Sequence, residues 1–221
     1  MTTRDEAHRL LASGQEADVY LRPDGLLLKR SRTGRDLRQE AKLMRHLSAH
    51  GVPVPRVAHA EGTDLVMEYV PGPRMSQELD AKPWRAGALG RELADLHRAL
   101  DDVPAPDFLD GDGDGGCLLH LDLHPGNVVL GPAGPVVVDW ANAARGDRKV
   151  DVALSWLAIA VAPLRPFKRL ARTRLVKAFL ANVDVEVRKA MPAAAAIRLA
   201  RHVRDAAEVD AVNRLVARCS D

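Results

Sequence analysis

The stretch His120-Leu121-Asp122-Leu123-His124-Pro125-Gly126-Asn127 places a carboxylate and an amide five positions apart, directly before a short apolar run. A second apolar run ends at Asp139, twelve residues after Asn127. The residues between the runs, Gly131-Pro132-Ala133-Gly134-Pro135, predict the turn of a hairpin. Because the outer ends of two paired strands lie side by side, we expect Asn127 and Asp139 to meet at one end of this hairpin.

The side chains of Asp122, Asn127 and Asp139 suit the transfer of a phosphoryl group, which needs positioned charge more than covalent chemistry. The Asp-x-x-x-x-Asn spacing is that of kinase catalytic loops, so Asp122 is the candidate base for an acceptor hydroxyl. Asn127 and Asp139 offer hard oxygen ligands for Mg²⁺. Any one of them alone would more simply cap a turn or end a strand. All three in register with a hairpin favour a phosphotransferase that uses ATP and Mg²⁺.

The N-terminal third of the chain combines strand-like runs with one helical pattern. Pro23-Asp24-Gly25 separates two apolar-rich runs and predicts a hairpin. Apolar residues then recur at helical spacing until a Gly and a Pro supply a stop. Two more strand-like runs precede Pro71-Gly72-Pro73, which marks a lobe boundary. The predicted elements are strands over 17–21 and 26–30, a helix over 35–49, and strands over 56–60 and 64–70.

The rest of the chain is mainly helical. A 4-3-4 rhythm of leucines predicts a helix over 84–100: Leu89, Leu93, Leu96 and Leu100. The loop over 101–116 has six Asp and four Gly and almost nothing to bury. Strands over 128–130 and 136–138 form the hairpin, and helices follow from residue 150 to the end. We interpret one histidine and three tryptophans as packing residues: His97, Trp84, Trp140 and Trp156.

A mostly β part, a linker and a mostly helical part with one hairpin form the outline of the protein-kinase-like fold. We therefore predict an α+β fold with two lobes. Residues 1–70 would form a small antiparallel-sheet lobe that binds nucleotide. Residues 71–221 would form a mostly helical lobe that carries catalysis and acceptor binding.

The catalytic segment resembles that of the aminoglycoside phosphotransferase family, the small-molecule branch of the protein-kinase-like fold. That family typically shows His-Gly-Asp-Leu-His-x-x-Asn, an apolar strand that ends in Asp-Trp or Asp-Phe, Gly-Asp, and an Asp-Leu-Ala segment. This chain has Leu121 where Gly is usual and otherwise follows the first motif. The later motifs correspond to Asp139-Trp140, Gly146-Asp147 and Asp151-Val152-Ala153. The resemblance implies that Asp151 begins a helix and supports the catalytic loop from below.

The resemblance extends into the N-terminal lobe and implies the residues that bind the phosphates. Gly14 and Val19 fall within residues 12–19, which occupy the frame of a Gly-rich loop, although Ala stands at two of its three Gly positions. Lys29 stands where such enzymes have a phosphate-binding lysine. Glu40, on the following helix, is the expected ion-pair partner of Lys29.

Residues 65–72 resemble the hinge that binds adenine in kinases. The segment includes Met67, and the Glu68 carbonyl and the Val70 amide and carbonyl would bond the base. An ordinary edge strand that ends at Pro71 would explain the same residues without a ligand. Apolar walls would come from residues whose periodicity predicts burial: Leu11, Val19, Leu27 and Val129.

Composition is that of a soluble globular protein, with 47% apolar residues and a net charge of +2. Cys117 and Cys219 have no spacing that indicates a disulfide framework or a zinc site. The longest apolar stretch, residues 152–164, is shorter than the roughly 20 residues that cross a bilayer. We therefore expect a cytoplasmic protein without a membrane partner.

The small-molecule branch is favoured by what the chain lacks. Protein kinases usually carry Arg before the catalytic Asp, whereas this chain has Leu121. Only eleven residues separate Asp139 from Asp151, too few for an activation segment. The expected acceptor is a hydroxyl of an aminoglycoside-like molecule, a sugar or an amino alcohol.

Two charged regions bear on the acceptor in opposite ways. Residues 164–221 hold 13 Arg or Lys against 6 Asp or Glu, which would suit an acidic acceptor, a phosphorylated metabolite or RNA. An acidic run ahead of the catalytic loop would attract a polycation, although a solvated loop is the simpler interpretation: Asp101, Asp102, Asp107, Asp110, Asp112 and Asp114.

Two other classes of protein stay open. A minimal protein kinase would use the basic surface to dock an acidic partner or RNA. A nucleotide-binding regulator without transfer activity would fit the depleted Gly-rich loop. The preference for ATP or GTP is also open, as is the choice between a monomer and a homodimer. A nucleic-acid partner is less expected than a small molecule, and only the basic C-terminal region favours it.

Overall fold

The chain divides into two structural units. In the computed structural model, which describes residues 8–111, 116–163, 168–183, 186–201 and 205–220, the first unit comprises Met1–Gly72 with Gly131–Ala141. The second comprises Pro73–Leu130 with Asn142–Asp221. Asp139 therefore belongs to the first unit, whereas Asp122 and Asn127 belong to the second. The assignment of nucleotide binding to residues 1–70 and of catalysis to residues 71–221 stays a prediction.

An antiparallel sheet of five strands, in the order β1-β2-β3-β5-β4, forms most of the first unit. Its strands are β1 (Arg9–Ser13), β2 (Ala17–Leu21), β3 (Leu27–Ser31), β4 (Val57–Glu61) and β5 (Asp64–Met67), and helix α1 spans Arg38–Ala49. The turn between β2 and β3 uses Gly25 at a φ of 82°, a backbone conformation that glycine adopts without strain.

The central strand β3 positions Lys29. In the sheet register, Lys29 lies between Val19 of β2 and Leu65 of β5. Helix α1 buries residues at helical spacing, including Leu43 and Leu47 on its apolar stripe. Because both neighbouring strands pair with β3, the backbone that carries Lys29 is held on both sides.

Helices dominate the second unit. They are α2 (Met75–Ala81), α3 (Ala86–Asp101), α4 (Arg148–Val161), α5 (Arg169–Leu180), α6 (Met191–Arg201) and α7 (Ala206–Ser220). Helices α3 and α5 approach closely at Gly90, where a Cβ atom would lie 2.4 Å from the Leu175 carbonyl oxygen. Short strands β6 (Cys117–Leu119) and β9 (Ala144–Gly146) of this unit pair with each other. The predicted hairpin is formed by β7 (Val128–Gly131) and β8 (Gly134–Val137), and β8 belongs to the first unit.

Most elements with a clear local pattern are confirmed, with ends that shift by a few residues. These are the hairpin of β2 and β3, helix α1, strand β4, helix α3 and the hairpin of β7 and β8. Strand β5 ends at Met67 rather than at Val70, and one further bond, from the Glu68 N–H to the Arg56 carbonyl at 2.9 Å, continues its pairing with the β4 side. Four elements were not predicted: β1, α2, β6 and β9.

Trp84 and the loop after α3 contradict the burial predicted for them. Trp84 is 72% exposed, because it lies in a short 3₁₀ turn, Pro83–Arg85, ahead of α3. The loop after α3 was expected to bury almost nothing, yet Val103 and Leu109 are buried. Arg145 holds this loop with two hydrogen bonds. Its backbone N–H donates to the Asp110 carbonyl at 2.8 Å, and its side-chain Nε donates to the Leu109 carbonyl at 3.2 Å. Asp112 and Asp114 lie outside the described residues.

Among the described residues, every helix is too short or too polar to cross a lipid bilayer.

Candidate functional site

Lys29, Glu40 and Asp139 form a charged cluster in the first unit, which we call the lysine cluster. Lys29 Nζ lies 2.7 and 3.0 Å from the two carboxylate oxygens of Glu40 and 2.9 Å from Asp139 Oδ1. The three N–H donors of the ammonium therefore match three acid oxygens. The Lys29 and Glu40 side chains are buried, whereas the Asp139 side chain is 50% exposed. The predicted ion pair is thus present, and its role toward nucleotide stays a prediction.

Electrostatics keeps Lys29 charged in this cluster. Burial alone would lower the pKa of Lys29, but the attraction of Glu40 and Asp139 outweighs burial and raises it. Burial also raises the pKa of Glu40, against the attraction of Lys29. A buried ammonium that donates to a half-exposed carboxylate can exchange that carboxylate for another anion, such as a phosphate.

Backbone and packing contacts hold Asp139. Its φ is 66°, a left-handed conformation that Asp tolerates better than most residues. The next residue, Trp140, is 1% exposed, and its indole N–H donates to the Val137 carbonyl at 3.3 Å. The Arg35 guanidinium donates to the Ala141 carbonyl oxygen. Sequence reasoning missed Arg35, whose partner is a backbone atom 106 positions away and leaves no sequence signal.

The second unit contains the catalytic-loop segment, residues 120–127. Asn127 Nδ2 donates to the Asp122 carbonyl at 3.0 Å and to Asp122 Oδ2 at 3.1 Å. The spacing of five residues thus brings these two side chains together. Because the amide nitrogen makes both bonds, the amide oxygen keeps its lone pairs for another partner. Whether Asn127 meets Asp139 stays a prediction.

Asp151 supports this loop from helix α4. Its carboxylate accepts the backbone N–H of His120 at 3.0 Å and that of Leu121 at 2.7 Å, as the resemblance implied. The expected position of Asp151 as first residue of the helix is wrong by about a turn. Helix α4 begins at Arg148, and Asp147 caps it by accepting the Lys149 N–H at 2.9 Å.

A buried hydrogen-bond chain lies below the loop. His97 Nε2 lies 2.9 Å from Ser155 Oγ, and the Ser155 hydroxyl donates to the Leu123 carbonyl. The interpretation of His97 as a structural residue is therefore confirmed. Burial lowers the pKa of His97 to about 3, so its ring is neutral. Ser155 was missed, because it lies 32 positions from Leu123 and 58 from His97.

The charge of Asp151 is expected to make stability depend on pH. Burial raises the pKa of Asp151 from 3.8 to about 6, against the bonds from His120 and Leu121. The protonated form is thus favoured in the folded state, so this stability is full below pH 3.8 and is lost as pH rises through about 6. A pKa raised from 3.8 to about 6 corresponds to about 3 kcal/mol of folding free energy.

Urea unfolding of wild type and Asp151→Asn between pH 3.5 and 7, roughly the span of the two pKa values, would measure this effect. We expect the difference in free energy of unfolding between the two proteins to change by about 3 kcal/mol across this range. The stability of wild type should decrease relative to that of the variant as pH rises. His97, whose Nδ1 lies 3.8 Å from Asp151 Oδ2, contributes in the opposite direction. A difference that stays constant with pH would contradict the effect.

Leu121 has a φ of 60°, although it is neither Gly nor a short polar residue, and its side chain is buried. We therefore expect Leu121→Gly to be more stable than Leu121→Ala by about 1 kcal/mol, since both lose the side chain and only Ala keeps the strain. Both should be less stable than wild type by about 1–4 kcal/mol, because a buried Leu is lost. Chemical unfolding of the three proteins would decide this, and an Ala variant that equals the Gly variant would contradict the strain.

The residues predicted to surround the base lie on strands β1, β2, β3, β5 and β7 and on the segments that adjoin strands. Gly14 forms the turn between β1 and β2, where its N–H bonds the Ala17 carbonyl at 2.9 Å. Met67 is buried, and the side chain of Val70 lies against Gly131. The predicted burial of Leu11 is wrong, since it is 41% exposed on β1, an edge strand of the sheet. Val19, Leu27 and Val129 are half-buried.

Within the described ranges, no group of three or more His, Cys, Asp or Glu side chains could hold a metal ion. Mg²⁺ is commonly held by one or two protein ligands together with substrate phosphates and water. The half-exposed carboxylate of Asp139 and the amide oxygen of Asn127 are ligands of this type. The donor chemistry therefore fits Mg²⁺.

Comparison with known proteins identifies the family. The sequence profile of the phosphotransferase enzyme family (APH) matches residues 8–115 and 113–196. The chain therefore belongs to this family. No curated protein sequence gives a significant match.

Solved structures agree on the fold. The ADP-bound aminoglycoside phosphotransferase APH(2'')-Ib is 17% identical with a TM-score of 0.63, over 96% of this chain and 92% of that one. Amicoumacin kinase hAmiN, in complex with AMP-PNP, Ca²⁺ and Ami, is 16% identical with a TM-score of 0.58, over 99% and 89%. An ethanolamine kinase from Plasmodium vivax is 11% identical with a TM-score of 0.58, over 97% and 82%.

The chain thus has the α+β, protein-kinase-like fold with two lobes, as its sequence predicted. It is an ATP-dependent small-molecule phosphotransferase.

Proposed function

We propose that this protein transfers the γ-phosphate of ATP to a hydroxyl of a polar small molecule: an aminoglycoside-like compound, a sugar or an amino alcohol. In this proposal Asp122 accepts the proton of the attacking hydroxyl, and Lys29 binds the phosphates. The observation that carries the proposal is the lysine cluster, in which a buried ammonium binds a half-exposed carboxylate at 2.9 Å. A phosphate oxygen offers Lys29 the same type of partner.

Asn127 and Asp139 would hold Mg²⁺ when ATP is bound. The amide oxygen of Asn127 and the carboxylate of Asp139 are hard oxygen donors, and the Asp139 side chain is open to solvent. The metal would neutralise charge on the phosphates. Lys29 donates to Asp139 at 2.9 Å, and we expect phosphate and metal to compete with this bond.

Two observations support nucleotide binding at residues 67–70. The Glu68 N–H is already bonded to the Arg56 carbonyl, so the backbone of Glu68 would contact the base through its carbonyl. This carbonyl is the acceptor that the resemblance implied. Leu11 is 41% exposed, and a planar base would cover such an apolar side chain. Val19, Leu27 and Val129 would supply the other apolar contacts, and Gly14 the phosphate-facing turn.

The proposed class of acceptor is based on the names of the similar structures and on the charges of the acidic run near α3. Their names include aminoglycoside, amicoumacin and ethanolamine kinases. Part of the acidic run after α3 already has basic partners, since Arg148 lies 2.5 Å from Asp101 and Arg145 lies 3.7 Å from Asp107. The described part of the run is therefore a weaker attraction for a polycation than its sequence suggests.

ADP release from ATP and Mg²⁺, measured across aminoglycosides, amino alcohols, sugars and nucleosides, would test the proposal. We expect acceptor-dependent release with at least one class, and release at least about 10²-fold slower with Asp122→Asn under the same conditions. Nucleotide binding without turnover for any acceptor would instead indicate a regulator. Phosphate transfer to the chain itself or to a protein would indicate a minimal protein kinase.

A further inference from the structure

His124 lies beside Asp122 in the catalytic-loop segment and has contacts at both ring nitrogens. Its Nδ1 accepts the backbone N–H of Gly126 at 3.0 Å. Its Nε2 lies 3.5 Å from Asp122 Oδ1. A Cβ atom on Gly126 would lie 2.7 Å from the Cε1 atom of the ring, so the ring lies directly against the glycine backbone. The imidazole is therefore fixed in position by the turn that leads to Asn127.

The contact with Gly126 also determines where the ring proton lies. A nitrogen that accepts a hydrogen bond carries no proton, so Nδ1 is the unprotonated nitrogen. The neutral ring must then carry its proton on Nε2, the nitrogen that faces Asp122. The turn thus presents an N–H donor to one oxygen of the carboxylate.

Asp122 is consequently flanked by a donor at each oxygen. Asn127 Nδ2 bonds Oδ2 at 3.1 Å, and His124 Nε2 faces Oδ1. The Asp122 side chain is 18% exposed and that of His124 is 30% exposed, so both remain open to a small molecule in solvent. The distance of 3.5 Å between His124 Nε2 and Asp122 Oδ1 is longer than an ordinary N–H···O hydrogen bond, so a small shift of either side chain would form one.

We propose that His124 is a positioning residue, whose Nε2–H orients the Asp122 carboxylate toward the acceptor hydroxyl. This inference rests on the proposed role of Asp122 as the base. A carboxylate with one donor can rotate about its Cβ–Cγ bond, whereas donors at both oxygens fix its plane. A misplaced base can cost about 10²-fold in rate.

Two substitutions test the contacts of the two ring nitrogens separately. In His124→Asn the side-chain oxygen replaces Nδ1 and can still accept the Gly126 N–H, but the shorter side chain at position 124 no longer reaches Asp122. In His124→Gln the terminal amide replaces Nε2 and can still donate to Asp122, but the acceptor for Gly126 is lost. Each variant therefore keeps one of the two contacts.

We expect kcat to fall about 10²-fold in His124→Asn and less than about tenfold in His124→Gln, with KM for ATP unchanged in both. Thermal unfolding should show the opposite order, with the lower midpoint in His124→Gln, because that variant loses the turn bond. A purely structural role would make kcat follow the unfolding midpoint.

The inference is overturned if His124→Asn keeps the wild-type kcat, or if the two variants lose kcat equally. Asp122→Asn in the same assay tests the underlying role separately. If that variant keeps its activity, the proposed base is wrong whatever the His124 variants do. If it is inactive and the His124 order is reversed, only the positioning role fails.

Discussion

Replacement of Asp122 by Asn is expected to lower kcat by roughly 10²–10⁴-fold, the usual contribution of a positioned general base. The amide cannot take the proton of an acceptor hydroxyl, yet its shape and its contact with Asn127 can persist. Nucleotide affinity should stay within about threefold of wild type, because the phosphates are bound by other residues. Steady-state kinetics with an active acceptor and calorimetry with ATP would measure both quantities.

A suitable control is Asp95→Asn on helix α3, where the side chain is 60% exposed and pairs with Arg98. It changes the same charge in the same unit and should leave kcat unaffected. An Asp122→Asn variant with wild-type turnover would remove the proposed base and leave the family membership intact.

Replacement of Asp139 by Asn is expected to abolish the increase in ATP affinity that Mg²⁺ produces. The neutral amide is a much weaker ligand for Mg²⁺, and even indirect disturbance of a metal site costs about 10–100-fold in affinity. Asn is preferable to Ala here, because Asn tolerates the φ of 66° at this position. The loss can then be assigned to charge rather than to backbone strain.

Calorimetric titration of ATP with and without Mg²⁺ would measure this effect. Metal-free ATP should bind the variant at least as well as wild type, because Lys29 is released from the carboxylate at 2.9 Å. Asp64→Asn, on strand β5 of the first unit, changes the same charge and should keep the full response to Mg²⁺. A wild-type response in Asp139→Asn would exclude it as the metal ligand.

The sequence predicted elements where a local pattern was strong. Helix α1 and helix α3 have apolar stripes at helical spacing, and the hairpin of β2 and β3 has a turn at Gly25. Strand β1 has no such pattern, and its residues become a strand by pairing with β2. Strands β6 and β9 have three residues each and pair across more than twenty intervening positions, so local propensity could not reveal them.

Site residues were predictable where chemistry depends on spacing. Asp122 and Asn127 are five positions apart, and the structure joins them through the Asn127 amide. Lys29 and Glu40 were paired only through resemblance to a family, and the structure shows their contact. Arg35, Ser155 and the contact of His124 with Asp122 were not predicted, since their partners are backbone atoms or depend on ring orientation.

The sequence by itself determined the reaction class, because a motif that performs phosphoryl transfer must keep particular side chains at particular spacings. It also determined the strongly periodic helices, whose apolar stripes are local. Only the tertiary structure decided that Lys29 donates to both Glu40 and Asp139, that Asp151 holds the backbone of Leu121 in a left-handed conformation, and that His124 faces Asp122. The contacts of Lys29 with Asp139 and of Asp151 with Leu121 depend on packing between segments that are distant in sequence. The contact of His124 with Asp122 is local in sequence, but the direction of the His124 ring is fixed only in the folded turn, where Nδ1 accepts the Gly126 N–H.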